Sequence, residues 1–141
     1  MICLGIDHGQ KRVGVALGQG ELAIPLTTIN REDAITAISE LASEKGAARI
    51  YVGKPSSLSG ADTKSTSDAV SFALELQKAT SIPVFLLDER LTSAQSLKNL
   101  RQTGHTARSA KHAVDAEAAR LIVELAIACN HSCGESLKQD A

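Results

Sequence analysis

Two apolar runs, residues 1–7 and 12–17, stand four residues apart with Gly9 in the gap. A gap that short allows only a tight reversal, so the runs are predicted to pair as an antiparallel hairpin. Residues 22–29, interrupted by Pro25, extend it to a three-stranded meander. The pattern then changes. Over residues 32–45 the apolar Ile35, Ile38, Leu41 and Ala42 recur at helical spacing, with Asn30 as a candidate cap and Gly46 as a stop. A short strand (49–53), a helix (67–79) with Val70, Ala73 and Leu74 inward, and a strand (84–87) opened by Pro83 follow. Thr92-Ser-Ala-Gln95 has the form of a capping box and starts a short helix bearing Ala94, Leu97 and Leu100, which Gly104 ends. A loop through Ser109 leads to a last helix from about 114 to 128, with Ala118, Leu121, Ile122 and Leu125 as its buried stripe.

Three strands first and strand-helix alternation afterwards imply an α/β fold, a mixed five-stranded sheet with helices on both faces. A chain of 141 residues has the size of one domain. Residues 1–129 are read as that domain and 130–141, which lack periodicity, as a flexible C-terminal tail. No apolar run approaches the ~20 residues that span a bilayer, and no signal peptide is evident, so no membrane association is expected. Three cysteines, Cys3, Cys129 and Cys133, make no paired framework and fit a reducing cytoplasm.

In open α/β sheets, sites form at the carboxyl ends of strands. Asp7 ends the first strand before a glycine turn followed by Lys11 and Arg12. Asp88 and Glu89 end the strand from Val84, and Asp115 opens the last helix. Asp7, Glu89 and Asp115 are therefore the candidate acidic cluster. Two such carboxylates ~4 Å apart repel by roughly 4 kcal/mol at an effective dielectric of 20. A divalent ion removes that repulsion, and oxygen-only donors point to Mg2+ or Mn2+. The reaction class such a cluster would serve is metal-assisted phosphoryl hydrolysis, as of a phosphodiester. Singly, each acid has a duller reading: a turn cap at Asp7, a pair with Arg90 at Glu89, a helix first turn at Asp115.

These segments resemble the YqgF (RuvX) family: Gly5-Ile-Asp-His-Gly-Gln-Lys-Arg-Val-Gly-Val-Ala16, Val52-Gly-Lys-Pro55 followed by Gly60, Asp88-Glu-Arg-Leu-Thr92, and Val114-Asp-Ala-Glu-Ala-Ala119. The likeness spans residues 2 to about 126. It implies a ribonuclease-H-like three-layer fold related to the RuvC Holliday-junction resolvase, and a nuclease role in maturing the 5′ end of precursor 16S ribosomal RNA. It further implies Asp7, Glu89 and Asp115 as metal-binding catalytic acids, Lys11, Arg12 and Arg90 as phosphate-facing support, and a cytoplasmic setting. Structured RNA, branched DNA and the assembling small ribosomal subunit are the implied partners. The chain departs from the family at Lys54, where an apolar residue is usual, and in the polar Ser56-Ser-Leu-Ser59.

With a net charge of −1, any contact with nucleic acid must be local. The acid-free stretch from Lys98 to Val114 offers Arg108 and Lys111 as backbone contacts, against the alternative of a solvated loop. Two Phe, one Tyr and no Trp leave little for base stacking. His8 follows Asp7, but adjacent strand residues face opposite sides of a sheet, which argues against a shared role. Cys129, His131 and Cys133 supply three ligands where a structural zinc site wants four, and Ser56, Ser57 and Ser59 lack a placed base. Two other classes compete: a phosphotransferase with a similar phosphate-binding turn, which usually needs two domains, and a non-catalytic RNA-binding assembly module.

Overall fold

The computed structural model describes residues 1–9, 11–54, 64–88, 107–128, 131 and 135–136, with backbone alone at 64–66, 88, 107–115 and 135. The elements are β1 (Ile2–His8), β2 (Arg12–Gln19), β3 (Leu22–Asn30), a 3-10 turn (Arg31–Asp33), α1 (Ala34–Lys45), β4 (Arg49–Lys54), α2 (Lys64–Ala79), β5 (Val84–Asp88), α3 (Ala107–Ala128) and β6 (Glu135–Ser136). The short helix expected from Thr92 to Gly104 lies outside the described residues.

β1 and β2 pair antiparallel from Ile2 opposite Gln19 to His8 opposite Val13, and the Gly9 N–H donates to the Arg12 carbonyl at 2.9 Å to close the turn. β3 completes the meander. Its register slips where Val15 faces Thr27 but Ala16 faces Pro25, so Leu26 is an extra residue. Proline tolerates such a place because an outer strand at a bulge can spare a backbone donor. β1, β4 and β5 run parallel, giving the order β3-β2-β1-β4-β5 of the expected five-stranded sheet, with two-residue β6 added beyond β5.

Alternation along the strands makes two cores. On one face Leu4, Ile6, Val13, Val15, Ile50, Val52, Val84 and Leu86 pack with α1 (Ile38, Ala42) and α2 (Phe72, Ala73, Leu76). On the other, Cys3, Ala16, Tyr51 and Leu87 meet Ala119, Ile122, Val123 and Ala126 of α3.

Three expectations need correction. On α2 the buried positions are Ala69, Phe72, Ala73 and Leu76, while Leu74 is 45% exposed, since the helical period carries it off that stripe. The last helix starts at Ala107, earlier than expected, and takes in the span through Ser109 that the sequence assigns to a loop. Its buried stripe is Ala119, Ile122, Val123 and Ala126, turned from the expected one, because the helix rides close to the sheet and needs small residues there. A Cβ added at Gly5 would lie 2.4 Å from Val123 Cγ2 and 2.7 Å from the Ala119 carbonyl oxygen.

Past α3, the His131 N–H donates to the Ala126 carbonyl at 2.7 Å, and φ at His131 is 60°. The ring stacks on Tyr51 with centroids 5.7 Å apart, its Nδ1 lies 2.8 Å from the Tyr51 hydroxyl, and Arg49 Nη1 donates to the His131 carbonyl at 2.8 Å.

Candidate functional site

Asp7 is the penultimate residue of β1, half-buried, in the odd-numbered series whose Cys3 packs with α3. Its cross-strand partner on β2 is Gly14. On β4, one step past the paired Ile6 and Val52, stands Gly53, itself level with Leu87 of β5. Neither neighbour carries a side chain. Glycine at both places is a feature the sequence reading missed, although glycine inside a strand signals close approach.

α3 runs antiparallel to β1. Gly18 lies against Cys3 and Val123, whereas Gly5, two residues up β1, lies against Val123 and Ala119. Two further residues along β1, about 7 Å, reach Asp7, and one further turn of α3, about 6 Å, reaches the backbone of Asp115. β1 and the amino-terminal half of α3 therefore run toward the same end of the sheet. Phe85 and Leu87 of β5 also belong to the α3 face. Glu89 and Arg90 lie outside the described residues. Arg108 and Lys111 fall in the first turns of α3, described by backbone alone. Lys54 ends β4, half-buried and paired in register with Asp88.

Lys11 is exposed and Arg12 half-buried and engaged, both beside the turn that follows Asp7. The Arg31 N–H donates to the Lys11 carbonyl at 2.9 Å, tying the start of β2 to the end of β3.

His8 points to the opposite face from Asp7, as strand alternation requires. Its ring lies 4.8 Å from that of Phe72, and Nε2 accepts from Arg31 Nε at 3.0 Å. An accepting Nε2 is unprotonated, so the ring is neutral with its proton on Nδ1. Burial pushes the His8 pKa below its ordinary value and Arg31 adds to this, with Asp68 opposing. Arg31 in turn sits 4.6 Å over the Phe72 ring. This trio joins residues 23 positions apart or more, and no local pattern announces it.

A mixed sheet covered on both faces, with a carboxylate at the end of its central strand, is the architecture of the ribonuclease-H-like class. Solved structures agree on the fold. Thermus thermophilus RuvC in complex with a Holliday junction substrate matches with a TM-score of 0.64 at 13% identity, over 97% of this chain and 99% of that one. A second Thermus thermophilus RuvC structure gives 0.61 at 14%, over 97% and 100%. The chain belongs to the RuvX family, whose model, described as a Holliday junction resolvase, matches residues 1–128. Relatives bearing the name "Putative pre-16S rRNA nuclease" include one from Dechloromonas aromatica, 40% identical over 86% of both chains. Another, from Leifsonia xyli subsp. xyli, is 41% identical over 88% of this chain and 83% of its own. The protein is thus a nuclease, a hydrolase of ester bonds.

Proposed function

We propose that this nuclease cleaves structured RNA in maturation of the 5′ end of precursor 16S rRNA, with Asp7, Glu89 and Asp115 as its catalytic, metal-binding acids. The observation that carries the reading is Asp7 itself: a half-buried carboxylate at the end of β1, flanked by glycine, on the face along which α3 approaches. Carboxylates with no sulfur or imidazole among them suit Mg2+ or Mn2+. When bound, such ions supply an activated water and stabilise the leaving oxygen. The chain's own part is to hold the acids at one edge and to orient the backbone with Lys11, Arg12, Arg90, Arg108 and Lys111. No described helix is long and apolar enough to cross a membrane. The cytoplasm and the assembling small ribosomal subunit are the setting this substrate implies.

Branched DNA is the second reading, favoured by the family's description and the RuvC likeness. Purified protein assayed on precursor RNA and on four-way DNA junctions, beside mapping of ribosomal RNA 5′ ends in depleted cells, separates them. Precursor accumulation with RNA cleavage supports maturation; junction cutting alone replaces it with resolution. Asp7→Asn should keep the fold and lower metal-dependent cleavage by more than ~100-fold, since even outer-shell partners of a metal cost ~10–100-fold. A purified variant that cleaves at the wild-type rate removes Asp7 from the chemistry.

A further inference from the structure

We propose that Arg31, held by His8 and Phe72, forms with Lys11 and Asn30 a phosphate subsite that grips the nucleic-acid backbone one residue away from Asp7, on the opposite face of the sheet edge. A cavity of about 380 Å³ opens there, lined by Lys11, Asn30, Arg31 and Glu32. Its volume is at the lower end of the ~300–1,000 Å³ that small-molecule sites occupy, enough for a phosphate with its sugar. The guanidinium is presented, not loose. Its Nε edge donates to His8 and one of its faces covers Phe72, so that among the described residues the paired Nη groups are the edge it can offer to a ligand. That edge is the one that matches two oxygens of a phosphate bidentately. Lys11 is exposed and its carbonyl accepts from the Arg31 N–H, so the two residues are held side by side at this edge. Glu32 subtracts charge from the same cavity.

Asp7 faces α3 while His8 and Arg31 face α2. A strand entering the Asp7 side and passing over the edge would meet this subsite next. Phosphate contacts orient without reading bases, so the subsite sets where the backbone lies. The inference rests on the nuclease reading for its ligand.

The test uses full-length Asp7→Asn protein, which should bind without cutting, and labelled single- and double-stranded RNA and DNA oligonucleotides titrated at several salt concentrations. Arg31→Ala should weaken binding about 5- to 20-fold and lower the salt slope by roughly one. Arg31→Lys should keep the slope and recover part of the affinity. Glu32→Gln, at an exposed position, should tighten binding about 2- to 5-fold. His8→Leu, which offers no acceptor to Arg31 Nε, should weaken affinity through loss of Arg31's anchor, with circular dichroism unchanged. Arg31→Ala and Glu32→Gln proteins that are folded and bind with wild-type affinity and slope overturn the subsite alone. If the parent protein binds none of the oligonucleotides, the nucleic-acid reading itself falls.

Discussion

Below about pH 6.5 an ordinary histidine takes up a proton, and His131 resists doing so. Burial lowers its pKa, and Arg49 and the chain's amino terminus act in the same direction, while Tyr51 faces its Nδ1. A folded-state pKa below the unfolded one means that the folded state binds fewer protons in the window between them. Stability is full above about pH 6.5 and is lost as pH falls through the lowered folded value. Urea melts at pH 7.5 and 5.5 should show that loss, and His131→Gln should make it smaller; an equal loss in the variant would clear His131 of responsibility. Tyr51→Phe should cost about 0.5–1.5 kcal/mol at pH 7.5 by removing the hydroxyl between Arg49 and His131. At this scale the sequence was legible unevenly. Asp7 stands out because an apolar run delivers a single carboxylate to a glycine turn followed by two cations, Lys11 and Arg12. Arg31 does not, since its partners His8 and Phe72 come from β1 and α2.

Elements were read best where one force dominates. The leading meander and α1 carry clean periods and clear stops: Gly46 adopts φ 69°, and the Ala47 N–H reaches the Ala42 carbonyl at 2.9 Å. Gly46→Ala should lower stability by about 1 kcal/mol through the left-handed conformation alone. α3 was read less well. Its first turns, Ala107-Arg-Ser-Ala-Lys111, favour helix by propensity but show no apolar period, so a search for periodicity begins too late. Leu121 and Leu125 drew the stripe toward themselves by size, whereas the sheet accepts Ala119, Val123 and Ala126. Gly5→Ala tests that close approach. The added Cβ meets a backbone oxygen that cannot swing away, so a thermal melt should report a loss of about 1–3 kcal/mol. Because α3 also carries Asp115, cleavage should fall further than the loss of folded protein explains; proportional losses would detach helix position from activity.

For the whole molecule, a net charge of −1 means that binding must come from a few well-placed cations. With Lys11, Arg12, Arg31, Arg90, Arg108 and Lys111 all engaged, the dependence of log affinity on log salt should be no steeper than about −5. A much steeper slope would require further cations at the interface. The order β3-β2-β1-β4-β5 was legible as a class of sheet, because strand-helix alternation after a meander has few solutions. The pairing of β6 with β5 was not legible, since two residues carry no pattern. The outer strand β3 has its own consequence. Hydrogen-bonding groups along a sheet's rim invite a second molecule to add its own strand, and Pro25 with the Leu26 bulge denies it a straight, fully donating template. Copies of the enzyme crowded at a substrate are therefore kept from zipping together along this rim.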